Sequence, residues 1–336
     1  MKAYEIHEFG IENLKLVDRP EPVADKGEVV VRFKAMSLNF RDLMIVDGAY
    51  NPRLKMPVVP LSDGAGIVDS VGSGVTKWKV GDHVMPIFCQ RWFEGSSTDE
   101  KRKTALGGSP EWDGVLRESG TFSQDSLVAI PQYLSFEEAA TFPCAGLTAW
   151  NALVTSGALK AGETVLTLGT GGVSVFAAQI AKIHGARVIG TTSSDEKAAR
   201  LRSLGVGDVV NYREHENWDK AVVELNGGGV DHVVEVGGSG TLSRSINAVR
   251  TSGHIAVIGA VAEPGSIDPI PILMRSIRLQ GIFTGSRDQL VAVLKAFELA
   301  QAVPVIDRIF SFDDARDAMS YMKNGSHFGK VVISVK

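Results

Sequence analysis

The chain has 336 residues, 44% of them apolar and 22% charged, enough for two packed domains without disulfide support. The formal net charge of -4 gives no electrostatic reason to expect nucleic acid or an anionic membrane as partner. Two cysteines, Cys89 and Cys144, read as reduced thiols of a cytosolic protein. The N-terminus alternates like a strand, unlike a signal peptide, and no apolar run is long enough for a membrane span.

In chain order, the first 90 residues read as β-rich. Glu28 to Lys34 alternates around Val29, Val31 and Phe33, as a half-buried strand does. Asp63-Gly-Ala-Gly-Ile-Val-Asp is a strand threaded with glycines. Residues 90 to 120 read as a long surface loop holding Trp92, Phe93 and Trp112, with a short helix at Asp99 to Leu106. From Ser135, an N-cap, the pattern turns helical at Phe136 to Ala140 and again at Thr148 to Ser156.

Next come strands at Thr164–Leu168, Arg187–Thr192, Asp208–Tyr212, Asp231–Val236 and His254–Gly259. Helices at Ser174–His184 and Asp195–Leu204 lie between the first three. This βαβα order predicts an α/β fold with a doubly wound parallel sheet of the Rossmann type. A helix at Arg287–Ala300, a strand near Asp307, a helix ending at Met322 and a closing strand at Lys330–Val335 finish the chain.

Gly169-Thr170-Gly171-Gly172-Val173-Ser174 falls between a predicted strand and a predicted helix. Gly169 allows a tight turn, and Gly171 admits a pyrophosphate against the helix N-terminus. Ser174 stands where the dinucleotide fingerprint has its third glycine. The second strand ends in Thr192, Ser193 and Ser194, where NAD sites carry a carboxylate. Hydroxyls there, with Lys197 and Tyr212, suit the 2′-phosphate of NADPH. The same hydroxyls also suit a helix cap, and Asp195 pulls toward NADH. Gly259 completes the set of cofactor-binding candidates on these strands.

Asn39-Phe-Arg-Asp42, Gly48-Ala-Tyr50, Pro60-Leu-Ser-Asp63-Gly64-Ala-Gly66, Val80-Gly81-Asp82-His-Val84, Pro143-Cys144-Ala-Gly146-Leu-Thr148-Ala-Trp150 and Gly329-Lys330-Val-Val-Ile form an ordered set. Together they resemble the medium-chain dehydrogenase/reductase superfamily, and within it the zinc-free quinone oxidoreductases and enoyl reductases. The resemblance implies a GroES-like catalytic domain, 1–145 with 286–336, and a Rossmann domain at 146–285, with the active site in the cleft between them. It implies a homodimer joined through the Rossmann edge strand, near Gly281 to Gly285. It also implies roles: Tyr50 and Asn39 as catalytic donors, Thr148 and Phe283 at the nicotinamide, and Arg287 near a cofactor phosphate. Tyr50 as a plain turn residue and Asn39 as a cap are the alternative readings.

The zinc-bearing relatives use Cys, His and Cys as catalytic ligands. This chain has Asn39, Ser62 and Cys144 there, and it lacks the four-cysteine lobe. The expectation is therefore an NADPH-dependent, zinc-independent, cytoplasmic oxidoreductase acting on a small-molecule quinone or enone. An alcohol or aldehyde dehydrogenase and a non-catalytic dinucleotide-binding protein are the alternatives.

Overall fold

The computed structural model describes residues 1–259 and 265–335. The chain divides into two compact units, Met1–Leu147 with Gly285–Lys336, and Thr148–Thr284.

The first unit opens with β1 (Lys2–Glu5), β2 (Lys15–Asp18), β3 (Glu28–Ser37), α1 (Phe40–Val46), β4 (Asp63–Val71) and β5 (His83–Pro86). It continues with α2 (Asp99–Arg102), β6 (Ser119–Ser123), β7 (Leu127–Ala129) and α3 (Phe136–Ala139). A helical stretch follows: π-type turns at 142–146, α4 (Leu147–Trp150), then π-type turns at 151–156. The second unit runs through β8 (Thr164–Thr167), α5 (Gly172–Ile183), β9 (Arg187–Thr192), α6 (Asp195–Ser203), β10 (Asp208–Asn211), α7 (Trp218–Asn226) and β11 (Val230–Glu235). It closes with α8 (Leu242–Ala248), β12 (Val249–Val257), α9 (Ile270–Met274) and β13 (Arg278–Gly281). The chain then returns to the first unit in α10 (Arg287–Ala300), β14 (Ile306–Ser311), α11 (Ala315–Lys323) and β15 (Lys330–Ser334).

In the first unit the main sheet has the order β14-β15-β3-β4-β5-β7, with β6 also pairing β3. Alternation along β3 turns Val29, Val31 and Phe33 inward, where they pack with Val68, Phe122 and Ile333. This is the GroES-like, β-rich half. Because β15 runs antiparallel to β3, with Val332 opposite Ser37, the C-terminal segment lies beside the end of β3. That register sets Lys330 next to Leu38 and Asn39.

The second unit is a six-stranded parallel sheet, order β10-β9-β8-β11-β12-β13. Its central strands are apolar runs; Val165, Leu166, Val233 and Val234 are fully buried. The order reverses direction between β8 and β11, and ligands of such sheets bind at that switch point.

Several expectations need correction. Helix α1 lies inside the stretch read as β-rich. Asp42 accepts the backbone N–H of Asn39 at 2.8 Å, and Leu43, Ile45 and Val46 face the core; this cap-and-stripe pattern was the available signal. The short helix ends at Arg102, since the residues after it turn back so that Cys89 bridges Ala105. The segment 151–156 winds as wider π-type turns, not as a regular helix. The edge strand is Arg278–Gly281, not Gly281–Gly285. Thr284, at φ 42°, cannot continue a strand. Helices α7, α8 and α9 were not anticipated.

Candidate active site

In the second unit, the turn after β8 makes a cradle. Gly169 adopts φ 69°, a conformation open to glycine, and its N–H donates to Thr191 Oγ1 at 3.1 Å. Gly171 is the N-cap of α5 and makes no side-chain cap bond. A Cβ added to either glycine would meet nothing within 4 Å. The space beside this backbone is open, and the first-turn N–H groups of α5, including those of Gly172 and Val173, have no intrahelical acceptors. They present a partial positive charge suited to an anion. Ser174 adds a bracket that a third glycine could not: its buried hydroxyl donates to the Leu168 carbonyl at 2.6 Å, tying α5 to the end of β8.

The neighbouring strand end carries the residues expected to choose the dinucleotide. Thr192 is buried, and its Oγ1 has no hydrogen-bond partner. Ser193 is half-buried beside it. Ser194 caps α6, accepting the backbone N–H of Lys197 at 3.3 Å. Tyr212 donates its backbone N–H to the Thr192 carbonyl at 2.9 Å, which brings the exposed Tyr212 side chain to this corner. Asp195 receives the Asn211 amide at 3.4 Å. Gly259 follows β12 with its backbone pressed on the Val236 carbonyl, so that no side chain fits. Thr148 is buried in α4. Phe283 is half-buried next to Thr284, whose carbonyl accepts the Asn151 amide at 2.6 Å. These groups fit a dinucleotide.

Sequence reading missed Glu235. It ends β11 fully buried and accepts the N–H groups of Gly237 and Gly238, the Thr241 hydroxyl and the Ser245 hydroxyl. A carboxylate saturated in this way fixes the turn at the switch point. A strand-end Glu just before two glycines was the signal.

In the first unit, the residues at the ligand positions of the zinc enzymes form a buried polar cluster. Leu61 is buried with φ 70°, a costly conformation for a bulky residue. That bend turns Ser62 and Asp63 inward. Asp63 accepts the Ser62 hydroxyl at 2.7 Å and the Cys144 N–H at 3.0 Å. Lys330 donates to Asn39 Oδ1 and to the Leu38 carbonyl, both at 2.6 Å. A lysine only donates, so this contact fixes which way the Asn39 amide points. Asn39 Nδ2 then lies near enough to Asp63 to ease its charge, yet it has no hydrogen-bond partner.

Burial dominates the electrostatics. It pushes Asp42 up to about 6, against the pull of Arg41. Asp63 is also raised by burial, opposed by Lys330, and Lys330 is lowered by its own burial. Burial and the charge of Asp63 raise the Cys144 thiol far above its ordinary range. An amide and a hydroxyl already bonded to Asp63 are poor zinc ligands. Among the described residues, no group of three or more His, Cys, Asp or Glu could hold a metal.

Tyr50 is 41% exposed, and its ring covers the Arg41 guanidinium at 5.3 Å. Tyr50 and Arg41 therefore meet, while Asn39, the N-cap of the same helix, faces Lys330 and Asp63. Arg287 does not join them. It donates to the Asp125 carbonyl at 3.1 Å, stacks on Phe93 at 5.0 Å, and lines a separate groove of about 490 Å³ with Trp78 and Leu294. Among the described residues no helix is long and apolar enough to cross a membrane.

Comparison with known proteins agrees with both halves. Residues 25–132 match the alcohol dehydrogenase GroES-like domain family, and residues 172–298 the zinc-binding dehydrogenase family. A zinc-type alcohol dehydrogenase-like protein of Schizosaccharomyces pombe is 40% identical over 99% of both chains. The quinone oxidoreductase of Mus musculus is 30% identical, over 99% of this chain and 97% of its own. The crystal structure of a putative alcohol dehydrogenase from Sinorhizobium meliloti superposes with a TM-score of 0.92 at 39% identity, covering 99% of this chain and 98% of that one.

Proposed function

Because this chain belongs to the medium-chain dehydrogenase/reductase superfamily, whose members are nicotinamide-dependent oxidoreductases, we propose that it is an NADPH-dependent, zinc-independent reductase of quinones or enones. The observation that carries this reading is Asn39, a hydrogen-bond donor at a position where the zinc enzymes hold a metal, its amide oriented by Lys330, on the same short helix segment that leads to Tyr50. Gly169, Gly171 and the first turn of α5 would hold the pyrophosphate. Thr192, Ser193 and Lys197 would hold the 2′-phosphate, Tyr212 would flank them, and Thr148, Gly259 and Phe283 would line the nicotinamide end. The bound dinucleotide supplies a hydride.

The chain's own residues then have one task, to stabilise and protonate oxygen. An enone that accepts hydride at its β-carbon becomes an enolate, and a quinone becomes a phenolate. Asn39 Nδ2 donates to that oxygen, and Tyr50 gives it a proton. Such donors, fixed in advance, are worth about 2.7–4 kcal/mol each. Oxidising a simple alcohol asks for more, because its hydroxyl proton must be removed near neutral pH by a strong electrophile or a tuned base. Asp42 is saturated by Asn39 and Arg41, and Asp63 by Ser62 and Cys144, so neither is a free base. The names of the Schizosaccharomyces pombe and Sinorhizobium meliloti relatives favour alcohol oxidation as the second reading. We also place a second copy of the chain on the edge strand β13, making a homodimer.

Tyr50→Phe is the direct test. It should lower kcat for an enone by about a hundredfold, with a smaller effect on quinones, while cofactor affinity holds. Unchanged enone turnover would remove Tyr50 from the reaction.

A further inference from the structure

We propose that Arg41 is a recognition residue for a carboxylate on the acceptor, so that the preferred substrate is an enone acid rather than a neutral quinone; this rests on the reductase reading above.

Arg41 is a cation whose burial is incomplete only by 11% of its side chain. Only Nη1 is used: it donates to Asp42 Oδ1 at 3.3 Å and to the Leu106 carbonyl at 3.1 Å. Nε and Nη2 are both buried and have no hydrogen-bond partner. These two nitrogens share one edge of the guanidinium, the edge that grips a carboxylate side-on. The chain uses the same edge elsewhere: Arg187 Nε and Nη2 both donate to one carboxylate oxygen, Asp208 Oδ2, at 3.1 and 2.7 Å. In Arg41 that edge is buried and lacks an acceptor. Leaving donors of a buried cation unmet is costly, so the arrangement calls for an acceptor.

The surroundings fit such an occupant. Asn39, two residues earlier, directs its Nδ2 toward Asp63 and eases that carboxylate's charge, leaving the Arg41 edge without an acceptor. The carboxylates nearby, Asp42 and Asp63, are already saturated. A flat ring lies on each side of the guanidinium, Phe88 at 4.7 Å and Tyr50 at 5.3 Å, which holds its plane and leaves the edge free. Gly108 borders that edge. A Cβ there would stand 3.5 Å from Nη2, so any larger side chain would crowd that edge. Tyr50, 41% exposed, separates this edge from solvent on one side, so a ligand reaches it by displacing that ring. Arg41 thus grips the carboxylate, and Asn39 and Tyr50 meet the carbonyl oxygen of the same molecule.

The test compares trans-4-oxo-2-pentenoate with its methyl ester, by calorimetric titration into enzyme saturated with NADP⁺, where no turnover occurs. The acid should bind about ten- to a hundredfold more tightly than the ester, as one charge-assisted pair allows. Arg41→Met should erase that difference. Gly108→Val, which leaves the guanidinium in place and fills the approach, should erase it too, and keeps the test alive should Arg41→Met fail to fold. Equal binding of acid and ester by wild type, no binding of the acid, or a preference that survives in either folded variant would overturn the proposal and leave a bound water as the partner of Arg41. Turnover is read separately with NADPH. Acid bound through Arg41 without NADPH consumption would contradict the reductase reading and not this one.

Discussion

Asp42 shows how burial, rather than local sequence, sets the chemistry of a residue. Its neighbours in sequence say only that it follows Arg41 in a helix cap. In the fold it is fully buried, and its carboxyl rises from 3.8 to about 6. Between about pH 4 and 6 the folded chain therefore holds a proton that the unfolded chain has lost. Stability from this group is full below pH 4 and declines as pH rises through 6. Asp42→Asn should flatten that decline, by about 2 kcal/mol, seen as a smaller gap in unfolding free energy between pH 4.5 and pH 7. An unchanged gap would contradict the assignment. Asp63 is raised in the same direction and remains, so some slope stays. His254, lowered to about 4 by burial, acts with the opposite sign, its stability lost as pH falls below 6.5. Asn39 and Tyr50 were legible as a motif. The lysine that orients Asn39 was not, because Lys330 lies almost a whole chain away and only the β3–β15 pairing joins them. Arg41 was equally hidden: its unmet edge is a property of what surrounds it.

Elements were legible where the signal was local. The glycine turn before α5, the Ser135 and Ser194 caps and the apolar parallel strands all declare themselves within a few residues. Helices α7, α8 and α9 did not, since α7 has no side-chain cap, α8 is short and α9 opens on Pro269 with an all-apolar run lacking periodicity. That same α9 now stands out. Ile270, Leu273 and Met274 are exposed, the last two at 76% and 75%, and all four residues of the edge strand β13 are exposed. An open edge beside such a patch favours a partner, and strand pairing across a two-fold axis would cover both. Leu273→Glu combined with Met274→Glu should halve the solution mass measured by light scattering. A wild-type monomer would contradict the dimer.

At the scale of the whole molecule, the two units divide the labour. The parallel sheet offers a cradle for a dinucleotide, and the β-rich unit offers donors where zinc enzymes hold metal. The sequence motifs located both halves, because the glycine loop and the Asn39-to-Tyr50 set are each short. They did not show the polar cluster of Lys330, Arg41, Asp42 and Asp63, drawn from three separate segments. The measurement that tests this account most directly is nicotinamide oxidation by chelator-treated enzyme, followed with a quinone, an enone and ethanol. The account predicts undiminished NADPH consumption with quinone or enone and about ten- to a hundredfold weaker activity with NADH. Lys197→Ala should remove that preference, and ethanol should be turned over negligibly. Activity confined to ethanol, abolished by the chelator and restored by zinc, would contradict it.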